Sequence, residues 1–284
     1  MTRVVVTGGS GKLGRAVVAH LARVGYEVIN IDRMPPPADA PGTYLRIDLT
    51  DYGQVLEALT SIDDRYDSID AVVHLAAIPA PGLTSNAATF ASNVTSTFNV
   101  FAAAKAARIL RVVWASSETL LGLPFATTPP PYFPVDEEYP VQPNSTYSLG
   151  KAVDEEVARH FARWNPDASL IGLRFSNVME PADYAAFPAY NGDPHARSWN
   201  AWGYIDARDG AQAVQLALES RITGSEVFVI AASDTVMTTP SSELAATVFP
   251  RVPFASPVDG VGTLLSIDKA RRLLGFEPVH SWRE

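Results

Sequence analysis

The sequence contains no cysteine at any of its 284 positions. Disulfide bonds, thiolate metal ligands and cysteine nucleophiles are therefore excluded, and we expect no metal site. Lysine is scarce, occurring only as Lys12, Lys105, Lys151 and Lys269, and the formal net charge is −9. A surplus of negative charge of this size argues against a nucleic acid partner.

Long apolar runs are also absent. No stretch approaches the length that a membrane-spanning helix requires, and Met1 leads directly into a short apolar segment without the hydrophobic region of a signal peptide. We therefore expect a cytoplasmic protein with no membrane partner. A chain of this length can form one domain, or one domain with a small lobe.

Short apolar runs alternate with longer segments of helical periodicity through the first two thirds of the chain. This alternation predicts βαβ units and an α/β fold with a doubly wound parallel sheet of the Rossmann type. The predicted strands cover residues 4–6, 26–31, 71–75, 111–115 and 169–173, and the predicted helices cover residues 14–24, 52–59, 93–107 and 147–164.

The predicted core comprises residues 1–173 and continues at about 204–232, while residues 174–203 and 233–284 are assigned to a small C-terminal substrate lobe. Two segments interrupt the alternation, a proline-rich one at 123–143 and one rich in aromatic residues at 176–203. Because both follow predicted strands, they are interpreted either as loops of a substrate site or as surface connections.

A glycine-rich turn joins the first predicted strand to the first predicted helix. Gly9, Gly11 and Gly14 match the general dinucleotide-binding pattern, in which the backbone approaches a pyrophosphate and the helix N-terminus offers free N–H groups. The alternative is a tight turn that binds no ligand. The turn residues predicted to contact the cofactor are Gly8, Ser10, Gly11, Lys12, Leu13 and Gly14.

Asp32 ends the second predicted strand, 18 residues after Gly14. That is near the spacing expected for an acid that binds the adenine ribose, and a carboxylate there repels a 2′-phosphate, so NAD is favoured. Arg33 acts in the opposite direction and leaves NADP open. Asp48, followed by Leu49, is placed either beside the adenine or as an acid at a helix N-terminus. The end of the third strand adds Leu75, Ala76 and Ala77 to the predicted cofactor contacts.

Tyr147 and Lys151 lie four residues apart in a predicted helix and therefore share one face. An ammonium beside a phenol stabilises the phenolate, so this pair is suited to proton exchange with a substrate. A Tyr-x-x-x-Lys pattern alone is a weak signal, but here it follows the glycine turn in the expected order. His74, by contrast, is more often a buried histidine with satisfied hydrogen bonds than a catalyst.

Together these motifs resemble those of the extended short-chain dehydrogenases/reductases in the NAD-dependent epimerase/dehydratase family. The resemblance covers nearly the whole chain, and the frame Gly8-x-x-Gly11-x-x-Gly14 is the version that such enzymes carry. The other motifs that support it are Asp32, residues 74–77, Asn93-Val94, Thr97-x-Asn99-Val100, Ala115-Ser116-Ser117, Tyr147 with Lys151, Leu173-Arg174 and residues 204–209.

The resemblance implies roles for single residues. Ser117 would hold the substrate oxygen, while Ser116 would point to the other side of the extended segment. Tyr147 would exchange the proton, and Lys151 would bind the nicotinamide ribose. Asn93 would shape the active site through its helix, or serve as the N-cap of that helix.

Glu118 stands where the family's dehydratases carry an aspartate, but Thr119 replaces the glutamate that usually follows. One carboxylate without its partner argues against water elimination, so Glu118 is interpreted as a supporting polar group. The compact substrate region is similar to that of uronate dehydrogenases, and Arg174 would then either pair with a substrate carboxylate or have a structural role. The predicted substrate contacts are Ser116, Ser117, Glu118, Arg174 and Asn177.

Two further features concern the lobe. Arg208 and Asp209 begin a predicted helix at 210–218 and are expected to form an ion pair. Aromatic residues of the second irregular segment either stack on a sugar or pack the lobe. They are Tyr184, Tyr190, Trp199 and Trp202, with His195 among them.

The resulting hypothesis is an NAD(P)-dependent oxidoreductase that transfers hydride between nicotinamide and a hydroxyl-bearing carbon of a sugar or sugar acid. One alternative is a nucleotide-sugar 4-epimerase with retained NAD, and a more remote one is a dinucleotide-sensing protein without catalysis. The presence of Ser117, Tyr147 and Lys151 disfavours the last. The resemblance also implies a homodimer formed through the helices at 93–107 and 147–164.

Overall fold

The computed structural model of the protein describes residues 2–61, 66 and 68–284. Its centre is a sheet of seven strands, all parallel, in the order β3-β2-β1-β4-β5-β6-β9, and β7 pairs with β8 separately. The strands are β1 (Arg3–Thr7), β2 (Glu27–Asp32), β3 (Thr43–Arg46), β4 (Ala71–His74), β5 (Arg111–Ser117), β6 (Ser169–Phe175), β7 (Val178–Met179), β8 (Ile205–Asp206) and β9 (Gly224–Ile230).

Helices cover both faces of this sheet, because successive residues of a strand point to opposite sides and each side is apolar. In β1, Val4 and Val6 belong to one hydrophobic cluster, and Val5 belongs to the other. The predicted doubly wound α/β class is therefore confirmed. The helices are α1 (Lys12–Arg23), α2 (Tyr52–Thr60), α3 (Asn86–Ala106), α4 (Thr146–Trp164), α5 (Ala207–Glu219), α6 (Ser241–Val248) and α7 (Asp268–Leu274).

The two faces differ in what covers them. On one face α1 and α5 contribute Val17 and Val214, and lobe residues such as Trp202 and Leu265 belong to the same cluster. On the other face α2, α3 and α4 form a separate cluster around Trp114 of β5. The segments assigned to the lobe therefore share a core with one face of the sheet, while the division into two domains remains a prediction.

Helix α3 begins seven residues earlier than the sequence predicts. Ser85 is its N-cap and accepts a hydrogen bond from the backbone N–H of Ala88. Asn93 consequently lies about two turns inside the helix, and the prediction that it caps the helix is wrong. The first two turns are largely exposed and have no apolar stripe, so periodicity alone does not reveal them.

Arg208 and Asp209 both take part in structural ion pairs, each with a different partner. Arg208 pairs with Asp206, the N-cap of α5, at 2.8 Å, whereas Asp209 pairs with His280 at 2.7 Å. In the part of the chain that the structure describes, no helix has the length and apolar character needed to cross a membrane.

Candidate active site

A cavity of about 1000 Å³ runs along the carboxyl ends of the central strands, where doubly wound sheets bind their ligands. Its wall is formed by residues at or just beyond the ends of β1, β2, β4, β5 and β6, with the start of α4. The residues predicted to bind cofactor or substrate that line this wall are Gly8, Ser10, Gly11, Lys12, Leu13, Gly14, Asp32, Arg33, Leu49, Leu75, Ala76, Ala77, Asn93, Ser116, Ser117, Glu118, Tyr147, Lys151 and Asn177.

The glycine turn is packed too tightly for other residues. A Cβ atom on Gly14 would lie 2.0 Å from the carbonyl oxygen of Gly8, and one on Gly8 would lie 2.6 Å from the backbone nitrogen of Ala76. Gly8 also has a φ of +71°, which favours glycine. Helix α1 follows Gly11 and has no side-chain cap at its N-terminus. This arrangement suits a pyrophosphate placed against the turn.

At the far end of the cavity, Asp32 accepts hydrogen bonds from the backbone N–H groups of Ser10 at 3.1 Å and Met34 at 3.0 Å. Arg33 is paired with Asp48 at 2.6 Å. Hydrogen bonds from Arg33 and then from Thr50 lower the pKa of Asp48 to about 2. Asp48 does not line the cavity, so its position supports a role in holding Arg33 more than a contact to adenine.

Two ion pairs connect this turn and helix α1 to the lobe. Lys12 Nζ lies 2.7 Å from Asp183, and Arg15 Nη2 lies 2.8 Å from Glu180. The two acidic residues also cap the same 3₁₀ segment, Pro181–Gly192, by reciprocal contacts with each other's backbone. The glycine-rich turn and helix α1 are therefore in direct contact with residues 180–183.

Ser117, Tyr147 and Lys151 all line this cavity. Ser117 is the last residue of β5, and its hydroxyl accepts hydrogen bonds from Thr119. Tyr147 is the second residue of α4, and Lys151 follows one turn later on the same face. Lys151 is 4% exposed and donates a 2.7 Å hydrogen bond to the carbonyl of Ala115. A hydroxyl, a phenol and an ammonium therefore line the same cavity, and together these groups can exchange a proton with a substrate.

Comparison with known families agrees with this geometry. The sequence profile of the NAD dependent epimerase/dehydratase family matches residues 4–231. The chain belongs to this family. The resemblance inferred from the motifs is thereby confirmed for the family as a whole.

Members of the family with described activities are only moderately similar to this chain. It is 28% identical over 199 residues to UDP-glucose 4-epimerase 2 of Oryza sativa subsp. japonica, covering 64% of this chain and 46% of that protein. It is 26% identical over 198 residues to the NAD-dependent glucose-6-phosphate dehydrogenase of Haloferax volcanii, covering 64% and 71%. The chain spans about half the length of the first of these relatives.

Among solved structures, a short-chain dehydrogenase/reductase superfamily protein from Agrobacterium tumefaciens with bound NAD has the same fold. The TM-score is 0.74 at 24% identity, and the superposition covers 99% of this chain and 94% of that one. At this level of identity the likeness establishes the architecture.

Asn93 binds the backbone of the segment that follows β4. Its side chain accepts a 2.8 Å hydrogen bond from the backbone N–H of Ile78 and donates a 3.0 Å bond to the carbonyl of the same residue. This double contact fixes the segment that follows β4 against α3. Asn93 thus shapes the cavity wall through its contacts to the backbone, in agreement with the role that the family resemblance implies.

Behind Lys151 lies a buried polar group that the motifs do not predict. Asp154, on the next turn of α4, is fully buried, with one oxygen 3.6 Å from Lys151 Nζ. Burial raises the pKa of Asp154, and the charge of Lys151 and then Thr97 oppose the rise. Neither oxygen forms a hydrogen bond of good geometry with the described residues. The i, i+3 spacing from Lys151 is the sequence signal that would have found it.

His74 is the next buried group in this direction. Its ring nitrogens contact the hydroxyl groups of Thr7 at 2.7 Å and Thr97 at 3.2 Å. Burial, and to a smaller extent the charge of Lys151, lower the pKa of His74 to about 3. The ring is therefore neutral and hydrogen-bonded, as expected for a structural histidine.

Arg174 is not available to a substrate. It is 3% exposed, does not line the cavity, and makes two 2.8 Å hydrogen bonds to Glu155. The hydroxyl of Ser116 donates to the same carboxylate at 2.6 Å. The interpretation of Arg174 as a ligand for a substrate carboxylate is therefore corrected to a structural role, and the Ser116 hydroxyl is likewise directed into the protein.

Glu118 lies between Ser117 and the lobe. Its carboxylate accepts hydrogen bonds from the Ser176 hydroxyl at 2.6 Å and from the Asn200 side chain at 3.1 Å. Burial raises the pKa of Glu118 to about 7, and the hydrogen bonds from Ser176 and Asn200, together with the charge of Arg197, oppose this rise. Neither Ser176 nor Asn200 was identified from the sequence, because no motif marks them.

Most aromatic residues of the irregular segment pack the lobe. Trp202 is fully buried and donates a hydrogen bond to the carbonyl of Pro194, and Tyr184 contacts Asp206. Trp199 alone among the predicted aromatic residues lines the cavity. Within the described residues, no group of three or more His, Asp or Glu side chains could hold a metal ion.

Proposed function

We propose that this protein is an NAD-dependent oxidoreductase that acts on a hydroxyl-bearing carbon of a sugar. The observation that carries the proposal is the meeting of Ser117, Tyr147 and Lys151 in one cavity with a glycine turn built for a pyrophosphate. The NAD-bound structural neighbour and the NAD-dependent glucose-6-phosphate dehydrogenase support the choice of cofactor. Asp32 at the end of β2 favours NAD over NADP.

In this proposal each group of residues in the cavity has a separate role. The turn from Gly8 to Gly14 holds the pyrophosphate, Asp32 binds the adenine ribose, and Lys151 binds the nicotinamide ribose. When bound, nicotinamide supplies hydride chemistry. Ser117 orients the substrate hydroxyl, and Tyr147 takes its proton as the carbon loses a hydride. Lys151 stabilises the phenolate by its charge.

Replacement of Tyr147 by phenylalanine tests this mechanism. Tyr147→Phe removes the proton acceptor and leaves the ring, so turnover should fall by about 10²-fold or more. NAD affinity, measured by titration calorimetry, should change little. Tyr52→Phe alters an exposed tyrosine at the start of α2 and serves as the matched control. Activity that survives in Tyr147→Phe would contradict the proposed mechanism.

A 4-epimerase is the second candidate, because several relatives are UDP-glucose 4-epimerases. The same three residues would then move hydride out and back. Net formation of NADH from added NAD, followed by near-ultraviolet absorbance, separates the two, since an epimerase regenerates its cofactor.

We also propose that the protein forms a homodimer through α3 and α4, which carry the exposed apolar side chains Phe98 and Leu149. The proposed partner is otherwise a small molecule, and the net charge of −9 argues against nucleic acid. We propose a cytoplasmic location because the proposed reaction needs a supply of NAD; cell fractionation tests this.

A further inference from the structure

The two ends of the cavity differ in charge. Lys12, Asp32 and Arg33 line the nucleotide end, and Lys151 lies at the dyad. Beyond Ser117, on the substrate side, Glu118 is the one ionisable side chain among the described residues that line the wall. The other polar side chains on this side are neutral, namely Thr119, Asn144, Ser145, Ser176 and Asn177.

Arg174 and Arg197 do not line this end of the cavity, although the charge of Arg197 acts on Glu118. Arg174 is buried in its pair with Glu155. Arg197 stacks over the rings of Tyr190 and Trp199, with its guanidinium carbon 5.9 Å and 5.0 Å from their centres, and it donates a 3.1 Å hydrogen bond to the carbonyl of Gly203. Neither arginine lines the cavity.

A site of this composition disfavours an anion on two grounds. A carboxylate or phosphate that leaves water needs a cation or several N–H donors to replace its hydration. Above about pH 7, where Glu118 is ionised, the anion would also be repelled by this carboxylate, which Ser176 and Asn200 hold in place. Sugar hydroxyls, in contrast, can both donate to Glu118 and pair with the amide groups of Asn144 and Asn177.

We propose that the substrate is an uncharged sugar without carboxylate, phosphate or nucleotide, and that Glu118 is the residue that selects against the anionic analogues. This inference rests on the proposed oxidoreductase function. In the reaction, the C–H bond of the hydroxyl-bearing carbon breaks and its electron pair passes as hydride to NAD. The O–H proton passes to Tyr147, and the carbon becomes a carbonyl, so the products are the oxidised sugar, NADH and a proton.

The direct test compares matched pairs of substrates that differ in one group. Glucose with glucuronate and galactose with galacturonate share ring stereochemistry, and glucose 6-phosphate and UDP-glucose extend the series. NADH formation should occur with at least one neutral aldose. The kcat/KM of its uronate partner should be lower by about 100-fold, since an unpaired charge is costly to bury.

Two variants test the part played by Glu118. Glu118→Gln removes the acidic group and keeps a side chain able to contact Ser176. At about pH 8, where Glu118 is ionised, the ratio of uronate to aldose kcat/KM should therefore rise about tenfold. Asn177→Lys supplies a cation from a neighbouring position with Glu118 intact, and it should move the ratio in the same direction. Glu138→Gln, at an exposed acid outside the cavity, is the control and should leave the ratio as it is.

Different outcomes overturn the choice of an uncharged sugar and the proposed oxidoreductase function. Preferred turnover of a uronate, a sugar phosphate or a nucleotide sugar would overturn this inference and leave the proposed oxidoreductase in place. An unchanged ratio in both Glu118→Gln and Asn177→Lys would remove Glu118 as the selecting residue. If the protein binds NAD and yet reduces none of it with any member of the series, the proposed function itself fails, and this inference fails with it.

Discussion

At the scale of single residues, Lys151 joins the cavity wall to the buried polar groups behind it. Its ammonium is held by the carbonyl of Ala115 at 2.7 Å and faces Asp154 at 3.6 Å. His74 lies near enough for its pKa to be lowered by the charge of Lys151. Asp154 is the one acidic group paired with Lys151 among the described residues.

Asp154→Asn should therefore weaken both stability and catalysis. The variant leaves a buried ammonium without its acidic partner, which costs about 3 kcal/mol in the free energy of unfolding. It should also lower kcat more than it raises KM, because the substrate does not touch Asp154. Urea unfolding and steady-state kinetics measure the two effects. Asp167→Asn, at an exposed position, is the control, and wild-type behaviour of Asp154→Asn would show that the pair is unimportant.

The raised pKa of Glu118 should make the free energy of unfolding depend on pH. Its ordinary pKa of 4.5 is raised to about 7 in the folded protein by burial. Between these values the folded state keeps a proton that the unfolded chain has released, so its contribution to stability falls as the pH rises. The full change is about 3 kcal/mol.

Glu118→Gln has no proton to release and should lose less stability than the wild type between about pH 4.5 and 7. Chemical unfolding of both proteins at several pH values measures the difference. Glu137 and Asp154, whose pKa values are also raised by burial, remain in both proteins and cancel from it. Parallel curves for the two proteins would contradict the assignment.

At the scale of elements, the start of α4 determines where Tyr147 stands. Ser145 accepts a 3.1 Å hydrogen bond from the backbone N–H of Ser148, and the Ser148 hydroxyl accepts a 2.9 Å bond from the N–H of Ser145. This reciprocal cap fixes the first turn of the helix. Tyr147 lies within that turn, so the cap serves catalysis as well as stability.

Ser145→Ala should lower the free energy of unfolding by about 1 kcal/mol and also lower kcat. Ser85→Ala removes the corresponding cap of α3, far along the chain from the dyad, and provides a matched control. It should lower stability by a similar amount without a loss of kcat. Thermal unfolding and initial rates decide the matter, and equal kinetic effects in the two variants would refute the special role of Ser145.

The comparison of elements shows what a sequence pattern can and cannot predict. The central strands and α4 were predicted to within two residues of their bounds, because buried parallel strands are continuous apolar runs and α4 has a clear apolar stripe. The edge strand β3 was missed, since only Leu45 of its four residues is buried. The first turns of α3 were missed for the same reason.

The same limit applies to the site. Residues of the glycine turn and the dyad were found because their chemistry requires a fixed spacing along the chain. The partners of Glu118 could not be found in this way, because Ser176 and Asn200 belong to other segments of the chain. The structural role of Arg174 could not be predicted either. It depends on the pairing with Glu155, and these two residues come together only where β6 packs against α4.

At the scale of the whole molecule, the outer faces of α3 and α4 each carry an exposed large apolar side chain. Phe98 is 48% exposed and Leu149 is 46% exposed. Leu149→Lys should convert the proposed dimer into a monomer, because a buried lysine without a partner is unfavourable in an interface. Light scattering coupled to size exclusion measures the mass. Leu273→Lys, at a similarly exposed leucine of α7, is the control. A monomeric wild type would exclude the dimer.

The ion pairs of Lys12 with Asp183 and of Arg15 with Glu180 join the start of helix α1 to residues 180–183, that is, the proposed nucleotide site to the proposed substrate lobe. A ligand that alters these contacts from one side changes the free energy of binding on the other. Thermodynamic linkage requires this effect to be reciprocal: the factor by which a sugar tightens or loosens NAD equals the factor by which NAD tightens or loosens the sugar. We predict that weakening either pair brings that factor closer to one, which titration of NAD with and without the sugar measures.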